Sequence, residues 1–193
     1  MSLLGNSLFT KTQQNVLGVL YGQPDRSFYT KEIIRITKMG VATIKRELDR
    51  MLTAGLLTMK KIGNQHHYQA NPECPIYYEV LGIVNKTFGL ADVLTKALNP
   101  LKEKILWAFV FGSVANGKES SSSDIDLMVI GDIGFAEVVQ QLYPVQESVR
   151  REINPKIYSK ALWLQMKNNK DAFVEEVLLQ PKINIQGGRH ELR

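Results

Sequence analysis

The chain has one cysteine and no long apolar run. Cys74 is the single cysteine among 193 residues, which excludes an internal disulfide and is typical of a reducing compartment. No apolar run approaches the roughly 20 residues that span a bilayer, and the first residues lack a basic segment followed by an apolar core. We therefore expect a cytoplasmic protein that does not enter a membrane.

Histidine is also scarce, with three residues in the whole chain. His66 and His67 are adjacent in a segment that we predict to be a strand, so their side chains point to opposite faces. Two such imidazoles cannot easily bind one ion, and Cys74 has no second thiol near it. We expect no zinc site in this part of the chain.

Positive charge is concentrated in the first part of the sequence. As far as Pro75 the sequence contains ten basic residues (Lys and Arg) and five acidic residues (Asp and Glu). From Ile76 onward it contains fourteen basic and fourteen acidic residues. The net charge of +5 therefore comes from the first part alone. This asymmetry is typical of a basic module that binds nucleic acid joined to a neutral module, and it favours double-stranded DNA as a partner.

The basic part has the pattern of three helices followed by a hairpin. Apolar spacing predicts helices over Thr10–Tyr21, from an N-cap at Thr30, and over Val41–Ala54. The turn Ile62-Gly63-Asn64-Gln65 predicts a hairpin with strands over Leu56–Lys61 and His66–Ala70. This order is the winged helix-turn-helix arrangement. The segment TIKRELDRMLTAGLLTMKKIGNQHHYQAN resembles winged-helix repressors of bacteria and archaea. The resemblance implies that the third helix enters the DNA major groove and that the hairpin touches the backbone.

The candidate DNA contacts lie on the third helix, opposite its apolar stripe, and beside the hairpin tip. Basic side chains at these places suit phosphate neutralisation and guanine contacts, although a charged helix face can also be merely solvated. Regulators of this type usually dimerise to meet two half-sites, so we expect a homodimer. The candidate residues are Thr43, Lys45, Arg46, Arg50, Lys60 and Lys61.

A Pro-bounded linker and an apolar helical segment follow. The pattern from Ile76 to Leu98 predicts either one long helix or one broken at Gly89. We divide the chain into a winged helix-turn-helix domain at 1–75, a helical connector at 76–100 and a third region at 101–193.

The third region centres on two apolar runs separated by a Gly- and Ser-rich segment. Ile105–Phe111 ends in a Gly112-Ser113 turn, and a second apolar run, predicted to be a strand over Ile125–Ile130, opens with Asp124 and Asp126. Asp124 and Asp126 are two residues apart on a predicted strand, so their carboxylates share a face and repel each other unless a cation lies between them. The turn offers backbone N–H groups and a hydroxyl that suit a phosphate tail. These features outline a divalent-metal site next to a phosphate site.

The sequence GSVANGKESSSSDIDLMVIG resembles the minimal nucleotidyltransferases of the DNA polymerase beta-like superfamily. The resemblance implies a Mg²⁺-dependent transfer, on a two-metal site, of a nucleoside monophosphate from a triphosphate to a hydroxyl group. By the same resemblance, Asp124 and Asp126 are catalytic metal ligands. Relatives often modify a partner protein in toxin–antitoxin pairs, so a partner protein is a candidate acceptor. The residues that match the nucleotide-binding positions, or lie close to them, are Gly112, Ser113, Lys118 and Ser123.

The position of the third carboxylate is open. The family places it on the neighbouring strand, which we predict over Ile153–Tyr158, and the residue there is Asn154. An amide oxygen can ligate Mg²⁺ but cannot serve as a general base. Glu152 would complete the metal site if the register differed by two residues. Asn154 is therefore a candidate catalytic residue and Glu152 a candidate metal ligand.

Two functions follow from these patterns. The first is a DNA-binding transcriptional regulator that carries a Mg²⁺-dependent nucleotidyltransferase domain. The second is a regulator whose nucleotidyltransferase domain senses nucleotide or serves as a scaffold without turnover. The expected fold is α+β, a winged helix-turn-helix joined by a helical linker to a mixed-sheet α/β domain. The remaining predicted elements are helices over Phe135–Leu142, Val145–Glu152, Lys160–Asn168 and Asp171–Leu179 and a strand over Pro181–Ile185.

Overall fold

The computed structural model describes residues 3–117, 123–149 and 151–192. The chain divides into two compact units, residues 1–90 and 91–193. The predicted connector at 76–100 contributes to both units, because the boundary falls within it. No helix in the described part of the chain is long and apolar enough to cross a membrane.

The first unit combines helices with a small antiparallel sheet. Its strands are arranged in the order β1-β3-β2, and β2 and β3 form a hairpin that turns at Gly63. The elements are α1 (Leu3–Leu8), α2 (Lys11–Leu20), β1 (Phe28–Tyr29), α3 (Thr30–Thr37), α4 (Val41–Thr53), β2 (Leu57–Ile62), β3 (Gln65–Ala70) and α5 (Tyr77–Lys86).

Local sequence explains how α2 and α4 form. A capping box starts α2, in which the Gln13 amide N–H donates to the Thr10 hydroxyl and the Thr10 amide N–H donates to the Gln13 side chain. Helix α4 follows Gly40 and buries Ile44, Leu48 and Met51 at the predicted spacing. These side chains form one core with the inner faces of α2, α3 and the hairpin. The buried stripe leaves the opposite face of α4 exposed.

Three details of the predicted helices require correction. Helix α1 was not predicted, because its short apolar run has no cap or repeat that marks a helix. Thr30 is the first residue of α3 rather than its N-cap, which is Tyr29. One helix, Phe135–Val149, replaces the two predicted on either side of Pro144. Proline removes only one N–H from a helix, and Val138, Leu142 and Val145 continue the buried stripe across it.

The second unit is built on a four-stranded mixed sheet of order β6-β5-β4-β7. Strands β5 and β6 are parallel, and the other two pairings are antiparallel. The last strand lies two residues later than predicted. The elements are α6 (Leu90–Leu98), a 3-10 helix (Asn99–Lys104), β4 (Ile105–Phe111), α7 (Gly112–Ala115), β5 (Ile125–Gly131), α8 (Phe135–Val149), β6 (Ile153–Tyr158), α9 (Lys160–Asn168), α10 (Ala172–Leu179), β7 (Ile183–Gly187) and a second 3-10 helix (Arg189–Leu192).

One face of this sheet carries an aromatic core. Trp107, Phe109 and Phe111 alternate along β4 and pack with Trp163 of α9 and Val174 of α10. Side chains of β5 that pair across the sheet, such as Met128, join the same layer because strand residues two apart share a face. Asp126 lies on this face at the point where β5 begins. The second unit is therefore a mixed α/β fold in which the carboxylate stretch lies at one edge of the sheet.

Candidate active site

The strand register brings Asp126 and Asn154 together. Asp126 pairs with Phe111 at the end of β4 on one side and with Asn154 near the start of β6 on the other. Because β5 and β6 are parallel, both strands begin at the same edge of the sheet. Lys156 lies two residues beyond Asn154, so its side chain shares the face of Asp126 and Asn154. This edge collects two acids, an amide and an ammonium group.

Asp124 lies one residue before β5 and contacts the same amide. The Asn154 Nδ2 donates a hydrogen bond to Asp124 Oδ2 at 3.2 Å. Asp124 is exposed to solvent, whereas Asp126 is half-buried. The amide group of Asn154 thus holds the exposed carboxylate beside the half-buried one.

Gly112 makes room for the Asp126 carboxylate. It has a φ of 73°, in the left-handed region that favours glycine. A Cβ at this position would come within 2.7 Å of Asp126 Oδ2. The short helix α7 that follows is anchored by the buried side chains of Val114 and Ala115, and Ser113 is half-buried between these residues and Gly112. The glycine is therefore required both by the turn and by the carboxylate next to it.

The electrostatics of Asp126 favour a bound cation. Burial raises the pKa of the Asp126 carboxyl above its ordinary value; the Lys156 ammonium opposes this rise, and the Asp124 carboxylate adds to it. A divalent cation between the two carboxylates would offset both the burial and the repulsion. The oxygens of the two carboxylate side chains are hard donors of the kind that Mg²⁺ prefers. The donor set therefore fits Mg²⁺.

The third carboxylate position is filled by the amide. The register places Asn154, and not Glu152, opposite Asp126. Glu152 is exposed, and its backbone carbonyl accepts a hydrogen bond from the Ile125 amide at 2.8 Å. Within residues 3–117, 123–149 and 151–192, no group of three His, Cys, Asp or Glu side chains could hold a metal ion. The described site thus offers two carboxylates and one neutral ligand.

The remaining nucleotide-binding candidates lie in or next to the segment that connects α7 with β5. Lys118 is outside the described residues. Ser123 is half-buried, and its backbone carbonyl accepts a hydrogen bond from Arg151 Nε at 2.8 Å. Ser113 lies next to Gly112 in α7, and therefore before the segment that connects α7 with β5.

Sequence reasoning missed two basic residues at this edge. Lys156 could have been found, because residues two apart on a strand share a face and Asn154 was already a candidate. Arg151 precedes β6 in an irregular segment, and no periodic pattern marks it. Lys156 supplies positive charge beside the Asp126 carboxylate, and Arg151 supplies it beside Ser123.

The DNA-binding candidates of the first unit differ in their contacts. Lys45 and Arg46 are exposed on α4, and Thr43 is half-buried. Arg50 is paired with Glu47 on the same helix at 2.6 Å, so its charge is partly neutralised. Lys60 and Lys61 are exposed on β2. Of these basic residues, Lys45, Arg46, Lys60 and Lys61 have no ion-pair partner in the described part of the chain.

Comparison with known families gives a match in the second unit. Residues 94–183 match the family described as Polymerase beta, Nucleotidyltransferase. The matched region covers just under half of the chain and includes the Gly112 turn, both aspartates and Asn154. This match supports the nucleotidyltransferase part of the prediction and suggests nucleotidyl transfer. A comparison with curated proteins gives no match.

Replacing Gly112 with alanine should weaken metal binding. The added Cβ would push the Asp126 carboxylate away from Asp124, and we expect roughly tenfold weaker Mn²⁺ binding, measured by electron paramagnetic resonance. Gly117→Ala is the matched control, because Gly117 has a similar φ of 68° but open space around its added Cβ. Both variants should lose about 1–2 kcal/mol of stability from left-handed strain. Equal Mn²⁺ affinity in the two variants would contradict this role for Gly112.

Replacing Asp126 with asparagine should stabilise the metal-free protein at neutral pH. The pKa of Asp126 is higher in the folded state than in the unfolded state. The free energy of unfolding of wild type therefore falls as the pH rises from the ordinary pKa of a carboxyl group through the raised pKa of Asp126. The amide side chain of the variant cannot ionise and avoids this loss. The melting temperature of Asp126→Asn should therefore exceed that of wild type at pH 7, and the difference should vanish in acid. A variant that melts below wild type at pH 7 would contradict the burial argument.

Proposed function

We propose that residues 91–193 transfer a nucleoside monophosphate from a nucleoside triphosphate to an acceptor hydroxyl. The observation that carries this proposal is the contact between Gly112 and Asp126, next to Asp124 and Asn154. It brings a left-handed glycine turn against two same-face carboxylates, and a transferase needs both a phosphate-binding turn and a metal site. The family match over residues 94–183 supports the same reaction class.

The residues at the sheet edge have separate tasks. Asp124 and Asp126 would hold Mg²⁺, which when bound neutralises the charge of the triphosphate. The backbone N–H groups at Gly112 and Ser113, with the Ser113 hydroxyl, suit the phosphate oxygens. Asn154 orients Asp124 through its amide N–H. Lys156 adds a positive charge next to Asp126.

In the proposed reaction the acceptor oxygen forms a bond to the α-phosphorus. The bond from that phosphorus to the bridging oxygen breaks, and pyrophosphate leaves with the electron pair. The acceptor hydroxyl must also lose its proton. Asn154 cannot accept this proton, because an amide is not basic. The proton therefore passes to solvent, and we propose that turnover is slow for that reason.

Replacing Asn154 with aspartate tests this account. A third carboxylate adds a metal ligand and a proton acceptor, so we expect pyrophosphate release to increase by roughly a hundredfold with Mg²⁺ and a triphosphate. The assay should include protein and nucleic-acid hydroxyls as acceptors. Asp126→Asn should release no pyrophosphate above background, although it folds.

Asn168→Asp is the matched control for charge. Asn168 is exposed at the end of α9 and has no hydrogen bond to Asp124, Asp126 or Asn154, so its substitution adds the same charge without replacing a residue of the site. Its activity should equal that of wild type. If neither wild type nor Asn154→Asp exceeds Asp126→Asn, the transferase proposal fails. If Mg²⁺ and a triphosphate then raise the melting temperature of the wild-type protein, the result would favour the nucleotide-sensing alternative.

We also propose that residues 1–75 bind double-stranded DNA. This second function is favoured by the order of three helices and a hairpin, in which the face of α4 opposite the core is exposed and basic. Lys45 and Arg46 on that face, and Lys60 and Lys61 on β2, have no ion-pair partner in the described part of the chain. Such cations are available to phosphates. A homodimer, which would present two copies of α4 to two half-sites, stays a prediction, as does a partner protein as acceptor.

Charge reversal on α4 tests the DNA proposal. Lys45→Glu combined with Arg46→Glu should weaken duplex binding at least tenfold. The slope of the logarithm of the binding constant against the logarithm of the salt concentration should fall by about the share of one phosphate contact for each residue replaced. Fluorescence anisotropy at several salt concentrations measures both. Lys31→Glu, at an exposed position of α3, is the single-charge control. DNA binding that is equal in the double variant and the control would contradict the assignment of this face.

A further inference from the structure

A cavity of about 730 Å³ lies in the second unit between α9, α10 and the second 3-10 helix. Its apolar wall includes Trp163 and Leu192, which are 1% and 5% exposed, together with Leu164 and Leu178. This volume is within the range of small-molecule sites. The indole and leucine side chains suit an aromatic or aliphatic group.

The rim of this cavity is basic. Lys167 and Arg189 line it, and neither has an ion-pair partner in the described part of the chain. Lys182 is close behind them, because its ammonium donates to the carbonyl of Leu178 at 3.0 Å. Burial and the Arg189 charge both lower the pKa of Lys182, which is consistent with like charges held together.

The remaining rim residue is His190. Its ring packs against Gly188, where an added Cβ would come within 2.7 Å of the imidazole. The acid nearest to this histidine is Glu191, at 3.7 Å from its Nε2, and Glu191 forms no ion pair with Arg189, Lys167 or Lys182. The cations of the rim therefore keep their charge available for an anion.

The cavity is separate from the carboxylate edge. The second 3-10 helix follows β7, whose Gly187 pairs with Trp107, and Trp107 pairs with Ile130 near the far end of β5. Asp126 pairs with Phe111, four residues further along β4. The cavity is not lined by Gly112, Ser113, Asp124, Asp126, Asn154 or Lys156. A ligand in the cavity would therefore not occupy the carboxylate site.

We propose that this cavity binds a small amphipathic anion, with an aromatic or acyl body against Leu164 and Leu178 and a single carboxylate, sulfonate or phosphate on the basic rim. An apolar wall combined with uncompensated cations selects such a ligand over a purely apolar or purely ionic one. An apolar compound leaves the cations unpaired, and a simple anion leaves the wall in contact with water. This site goes beyond nucleotidyl transfer and does not depend on it.

Fluorescence titration of the whole chain with anilinonaphthalene sulfonate tests the proposal. We expect saturable binding of one probe per chain, with energy transfer from tryptophan. Arg189→Glu combined with Lys167→Glu should weaken it about tenfold. Lys31→Glu, in the first unit, should leave it unchanged. Laurate serves as an acyl competitor and naphthyl phosphate as an aromatic competitor. Displacement of the probe by either compound supports the proposal and shows whether the cavity binds an acyl or an aromatic group.

Two comparisons make the proposal falsifiable. Uncharged phenylnaphthylamine should bind several-fold more weakly than the sulfonate, and inorganic phosphate should not displace the probe. Equal binding of the charged and uncharged probes, or equal affinity in the rim variant and wild type, would overturn the role of the cations. Displacement by inorganic phosphate alone would overturn the role of the apolar wall. Circular dichroism of the rim variant confirms that it is folded, since these exposed side chains contribute little to the core.

Discussion

The half-buried carboxylate of Asp126 constrains the structure around it. Its charge is unfavourable where it lies, because burial and the neighbouring Asp124 both raise its pKa. A side chain at position 112 would occupy the space that one of its oxygens needs. The left-handed turn at Gly112, the start of β5 and the pairing with β6 are all arranged around this group. Such a local conflict is common at functional sites, where stability is given up for chemistry.

The register of β5 and β6 determines what completes the site. A shift of two residues would have placed Glu152 beside Asp126 and made a site with three carboxylates. The observed pairing places Asn154 there instead, and its amide donates to Asp124. A neutral ligand keeps the geometry but removes one charge and the basic atom. The sheet that positions the carboxylates and the proton acceptor that a transfer would need are therefore determined by different residues.

Acidic and basic side chains form separate clusters in this chain. In the first unit, the cations that lie on the exposed face of α4 and on the hairpin include four without an ion-pair partner among the described residues. In the second unit, the carboxylates of the sheet edge are balanced in part by Lys156, whereas the rim of the cavity beside α9 is mainly basic. The half-buried carboxylate of Asp126 is costly without a cation, whereas the exposed lysine and arginine side chains are solvated and available to an anion. A local excess of one charge is the common physical basis of the metal, DNA and anion proposals.

The sequence by itself determined the elements of the second unit and the residues of its central turn. Continuous apolar runs bounded by glycine and serine predicted β4, β5 and β6 closely, because such patterns depend on local burial. They could not predict α1, which lacks local signals, or the unbroken α8, which tertiary packing holds together across Pro144. The sequence also left open whether Asn154 or Glu152 faces Asp126, since both have the same strand parity. Only the tertiary structure decided this, because strand register depends on hydrogen bonds between segments far apart in the chain. The basic cavity has the same origin: Lys167 and Arg189 are distant in sequence, and only the packing of α9 against the last 3-10 helix brings them to one rim.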